Sequence, residues 1–123
     1  MNPKGYVVVL EEDVLIRNLL ERWLGEAGYE VLPREPPAAD DAAQKTPCLV
    51  IADVPSPQDA APLIRSLQAV YPAPILVLSA RFRRGLAGSA EAARRLGVKK
   101  VLPKPFTQEE LLEAVRASLE AGA

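Results

Sequence analysis

The 123-residue chain predicts an α/β domain in which five strands alternate with five helices around one parallel sheet. Three observations carry this. Short apolar runs recur between segments of helical spacing. The runs lack a polar alternation, as strands buried on both faces do. Composition is ordinary for one globular domain, 49% hydrophobic and 25% charged, so residues 1–123 are expected to form a single domain.

The elements follow in order. Tyr6-Val7-Val8-Val9-Leu10 is the first strand. From 14 to 27 the positions Ile16, Leu19, Leu20, Trp23 and Ala27 recur at helical spacing, with Asp13 as N-cap and Gly28 as stop. Residues 29–32 form the second strand. A rigid loop around Pro36-Pro37 and a short helix over 39–45 follow. Residues 48–52 are the third strand, ending at Asp53. The next helix spans 57–70, with Leu63, Ile64, Leu67 and Val70 facing inward. Pro62 belongs near a first turn, which moves that helix's expected start toward Asp59. Residues 74–79 are the fourth strand, 86–96 a helix stopped by Gly97, and 99–102 the fifth strand. Thr107-Gln108-Glu109-Glu110 is a capping box opening the last helix, whose apolar side carries Leu111, Leu112, Val115 and Leu119.

Composition removes several chemistries. The chain has no histidine, so it holds no Ser-His-Asp triad and no His-based metal site. Its single cysteine, Cys48, excludes an intrachain disulfide and reads as a small core residue. A net charge of −1 argues against direct nucleic-acid binding. No apolar run is long enough to span a membrane and no signal peptide is visible, so the expected compartment is the cytoplasm.

Sites in parallel sheets lie at the carboxyl ends of the strands. Those ends carry Glu11, Glu12 and Asp13 after the first strand, Asp53 after the third, Ser79 at the fourth and Lys104 after the fifth. Clustered carboxylates repel unless a cation sits among them, and hard oxygen donors suit Mg²⁺. A metal and an ammonium beside a free carboxylate make a site where that carboxylate can attack a phosphoryl group. A flavin or nucleotide enzyme fits poorly: the loop after the first strand is Glu-Glu-Asp, and no glycine-rich phosphate loop occurs.

Over essentially its whole length the chain resembles the receiver domains of bacterial two-component response regulators, the chemotaxis-regulator family. The motifs are Leu10-Glu11-Glu12-Asp13 with Arg17, Asp53 with Pro57, Ser79-Ala80, and Leu102-Pro103-Lys104-Pro105-Phe106. The resemblance implies a flavodoxin-like (βα)5 fold with strand order 2-1-3-4-5. It implies that Asp53 accepts a phosphoryl group from a phosphohistidine of a sensor histidine kinase or phosphotransfer protein. It places Mg²⁺ on Glu11, Glu12, Asp53 and the Pro55 carbonyl, with Glu12 favoured over Glu11 for direct contact. Ser79 would hydrogen-bond a phosphoryl oxygen, Lys104 would pair with the acceptor, and the Lys104-Pro105 bond would be cis. Such a domain is a signalling switch that assists its own phosphoryl transfer and dephosphorylation rather than an enzyme. A separate output protein would dock on the fourth helix, fifth strand and fifth helix.

The chain departs from the family at named positions. The acidic pair is Glu-Glu, where Asp-Asp or Glu-Asp is usual, and each added methylene lengthens the reach to a metal; Asp13 is placed to compensate in part. Val101 replaces the usual aromatic three residues before Lys104, and Pro55 and Pro57 stiffen the loop after Asp53. These departures support an alternative expectation, a phosphorylation-independent receiver acting through protein contacts. Arg81, Arg83 and Arg84 read as a solvated loop, and Trp23 as packing.

Overall fold

Residues 5–32, 47–54, 57–79, 93–98 and 100–120 are described in a computed structural model, with the backbone alone at 57–59. The strands are β1 (Gly5–Leu10), β2 (Tyr29–Leu32), β3 (Leu49–Asp53), β4 (Ile75–Ser79) and β5 (Lys100–Pro103). The helices are α1 (Val14–Glu26), α2 (Pro57–Val70) and α3 (Gln108–Glu120), the last being the fifth of the predicted series. A further helical turn occupies 93–96 and stops at Gly97. The predicted short helix over 39–45, and the predicted helix over 86–96 before residue 93, lie outside the described residues.

The five strands form one parallel sheet in the order β2-β1-β3-β4-β5, as expected. Side chains alternate across a strand, so each apolar run feeds two cores. Val7, Val9, Leu49, Ile51, Leu76, Leu78 and Leu102 face Leu20 and Leu24 of α1 and Leu111, Ala114 and Val115 of α3. Val8, Val50, Ala52, Ile75, Val77 and Val101 face Ala60, Ile64 and Leu67 of α2, and Ala93. Two covered faces explain why the runs carry no polar alternation.

Caps set the helix ends. Asp13 Oδ1 accepts from the Leu15 and Ile16 amides at 2.9 and 3.2 Å. Gly28 ends α1 with φ 99°, where a Cβ would be strained. At α3 the capping box closes both ways: the Glu110 amide donates to Thr107 Oγ1 at 3.1 Å, and the Thr107 amide donates to Glu110 Oε1 at 2.9 Å.

Three local expectations are corrected. α2 begins at Pro57, not near Asp59, and holds Pro62 inside the helix on its exposed side. Val70 is 68% exposed; with about 3.6 residues per turn, Ala60, Ile64, Leu67 and Tyr71 make the inner line and Val70 falls beside it. On α1, Leu19 is exposed and Leu24 is buried instead, because Leu20 and Leu24 stack one turn apart against the sheet.

Candidate functional site

β1 and β3 are neighbours with Leu10 opposite Ala52, so Glu11 and Asp53 leave the sheet side by side. β4 is registered with Asp53 opposite Leu78, and β5 with Ser79 opposite Pro103. The alternation that sends Val9, Ile51 and Leu102 to one face sends Glu11, Asp53 and Lys104 the same way. A backbone bond of 3.0 Å from the Lys104 amide to the Ser79 carbonyl holds the lysine at the end of β4. The Lys104-Pro105 peptide is cis, as the resemblance implied.

The side chains meet. Lys104 Nζ donates to Glu11 Oε2 at 2.7 Å and to Asp53 Oδ1 at 2.8 Å. Both carboxylates therefore lie within two hydrogen-bond lengths of each other, bridged by one ammonium. Burial alone would lower the pKa of that ammonium; the hydrogen bonds and charges of Asp53 and Glu11 outweigh it and raise the value above the ordinary lysine range. Only one of the two carboxylates is open. Asp53 keeps 22% of its side chain exposed, Glu11 only 3%.

Glu11 spends its second oxygen as well. Oε1 accepts from the Asp13 amide at 3.1 Å, tying the lysine to the N-cap of α1. Sequence spacing did not disclose this tie, since it needs a buried glutamate long enough to reach both groups. Asp13 itself is occupied as the α1 cap. Glu12 is exposed beside the cluster, and Ser79 is fully buried at the end of β4. Pro55, Arg81, Arg83 and Arg84 lie outside the described residues. Burial pushes the Cys48 thiol pKa up against the opposing pull of backbone hydrogen bonds.

The donor chemistry fits Mg²⁺, which takes one or two carboxylates and fills its shell with water. Among the described residues, however, no three Asp, Glu, His or Cys side chains already stand as a metal cluster. Glu11 and Asp53 are bridged by the ammonium instead. Among the described residues no helix is long and apolar enough to cross a membrane.

The chain matches no protein-family model. It is 36% identical over 120 residues to the transcriptional regulatory protein PdtaR of Mycobacterium tuberculosis, across 92% of this chain and 56% of that protein. It is 35% identical over 117 residues to the response regulator MprA of a Mycobacterium species, across 92% of this chain and 50% of that one. The chain thus spans about half the length of the curated relatives it matches. A response regulator from Thermotoga maritima shares the fold, with a TM-score of 0.69, 23% identity and coverage of 98% and 99% of the two chains. Sheet order, strand-end residues and relatives agree, and the chain belongs to the response-regulator receiver family of two-component signalling.

Proposed function

We propose that Asp53 is the phosphoacceptor of a signalling switch. The carrying observation is the shared ammonium: Lys104 touches both Glu11 and Asp53, yet only Asp53 is open to an incoming donor. The Asp53 oxygen that Lys104 does not hold is the nucleophile. It forms a P–O bond as the P–N bond of a donor phosphohistidine breaks, and the bonding pair stays on the imidazole nitrogen. The product is an acyl phosphate, which water later cleaves to release inorganic phosphate and restore the carboxylate.

This chain's residues supply position and charge. Lys104 stands where it meets a phosphoryl oxygen once Asp53 is modified, offsetting the added negative charge. Ser79, at the end of the adjacent strand, is the hydroxyl that would bond a second oxygen. Glu12 and Asp53, with Glu11 behind them, are the donors that would hold Mg²⁺, and the Pro55 carbonyl is the expected further ligand. Bound Mg²⁺ would neutralise phosphoryl oxygens during transfer. The partners are a sensor histidine kinase or phosphotransfer protein as donor, and an output protein on the surface of β5, α3 and the predicted fourth helix. The named regulators among the relatives favour this reading over a phosphorylation-independent one.

Incubation with Mg²⁺ and acetyl phosphate, read by intact mass, tests it. The wild type is expected to gain one phosphoryl group and Asp53→Asn none. Label retained by Asp53→Asn would move the acceptor elsewhere. An unlabelled wild type, under conditions that label another receiver, would return the protein-contact reading.

A further inference from the structure

We propose that the amino-terminal edge of the sheet, opposite Asp53, is a docking site for an acidic segment of a partner protein. The net charge of −1 conceals a strong polarity along the chain. Residues 60–107 hold nine of the 15 basic residues and one of the 16 acidic ones. Most of α2, the turn over 93–96 and β5 come from this stretch, and α2 and that turn cover the same face of the sheet. The acidic excess lies before residue 60 and on α3. Arg65 and Arg94 are exposed and Lys100 is half-buried, and none of the three enters an ion pair among the described residues.

A groove of about 340 Å³ opens among these charges, with an apolar lining from Pro72, Ala73, Pro74, Ile75 and Val98. Gln68 Nε2 donates to the Gly97 carbonyl at 3.3 Å, joining the last turn of α2 to the loop before β5. Pro72 and Pro74 each fix φ, which stiffens one wall. Arg65 lies three residues before Gln68, Arg94 three before Gly97, and Lys100 two after Val98. An apolar pocket with a basic surround suits one apolar anchor flanked by carboxylates. The anchor supplies burial, and the charges steer the encounter and set its register. A nucleic acid would meet the charges with phosphates but leave the groove unfilled. A second copy offering its own acidic surface would make a head-to-tail contact, which propagates unless it closes into a ring. An acidic segment of a separate protein satisfies both the groove and the charge.

The test titrates the full chain, unphosphorylated, with a short acidic peptide carrying one leucine and follows the backbone amides by ¹⁵N NMR. Shifts are expected around Gln68, Ala73, Ile75 and Val98 and not around Asp53. Added salt should weaken binding by screening the charges. Arg94→Glu combined with Lys100→Glu should weaken it by roughly ten-fold. On the wild type, a peptide with alanine for its leucine should bind more weakly. In Ala73→Trp, which fills the groove, the two peptides should bind alike. Should Ala73→Trp fail to fold, the wild-type comparison of the two peptides decides the role of the groove. Shifts elsewhere, no shifts at all, or equal binding of a peptide with glutamine for each acid would overturn the proposal. An oligonucleotide that moves the same amides at lower concentration would replace the protein segment with a nucleic acid. Concentration-dependent shifts at these amides without peptide would replace it with a second copy. Labelling of Asp53 plays no part in the measurement, so the acceptor reading stands or falls separately.

Discussion

Lys104 is held by Asp53 and Glu11 at the end of a buried strand pair, and its pKa is raised by them despite burial. A raised folded value means the native state binds the proton more tightly than the unfolded chain. That contribution is complete below the ordinary lysine value, about 10.4, and is lost as pH climbs through the raised one. Urea unfolding of the wild type and Lys104→Met should show a gap that is constant up to about pH 10 and shrinks above it. A gap that widens with alkali would place the lysine elsewhere than between two carboxylates. Val101 is fully buried among Val8, Val77 and Ile64, so its small, stiff side chain is a core member.

At the scale of elements, the caps fix where each helix starts relative to the site. Asp13 serves twice: its carboxylate caps α1, and its amide anchors Glu11. Asp13→Ala and Thr107→Ala should each cost about 1 kcal/mol in denaturant unfolding. Of the two, only Asp13→Ala should also slow labelling of Asp53, because only that cap is joined to the lysine. Equal effects of both on labelling would reduce the α1 tie to helix stability alone. Inside α1, Leu20 is fully buried against the sheet, and Leu20→Ala should cost about 2–5 kcal/mol in the same assay.

Across the molecule, the segment following Lys104 clasps α1 at a second level. Phe106 meets Trp23 edge-on, with ring centroids 6.3 Å apart, and Gln108 donates to Glu26 at 3.1 Å. Trp23 is the only tryptophan, so its emission reports on this contact. Phosphorylation of Asp53 should shift that emission, and Phe106→Leu should suppress the shift while leaving label incorporation intact. An emission spectrum unchanged by full labelling would mean that the clasp does not sense the acceptor.

Much of the fold was legible because local chemistry forces it. Uninterrupted apolar runs such as Val7-Val8-Val9 require cover on both faces, and Asp13, Gly28 and the Thr107 capping box mark helix ends by the backbone groups they satisfy. The strand-end carboxylates and Lys104 could be named from their positions and from family resemblance. Tertiary structure decided the rest, because those decisions depend on distances between residues remote in sequence. It chose Leu24 over Leu19 for the core, kept Val70 outside, and seated Trp23 on Phe106. Above all it separated two neighbouring glutamates that look equivalent in the sequence. Glu11 is buried and shared between Lys104 and the α1 cap, whereas Glu12 faces solvent, a division set by strand alternation and by what lies within hydrogen-bond reach.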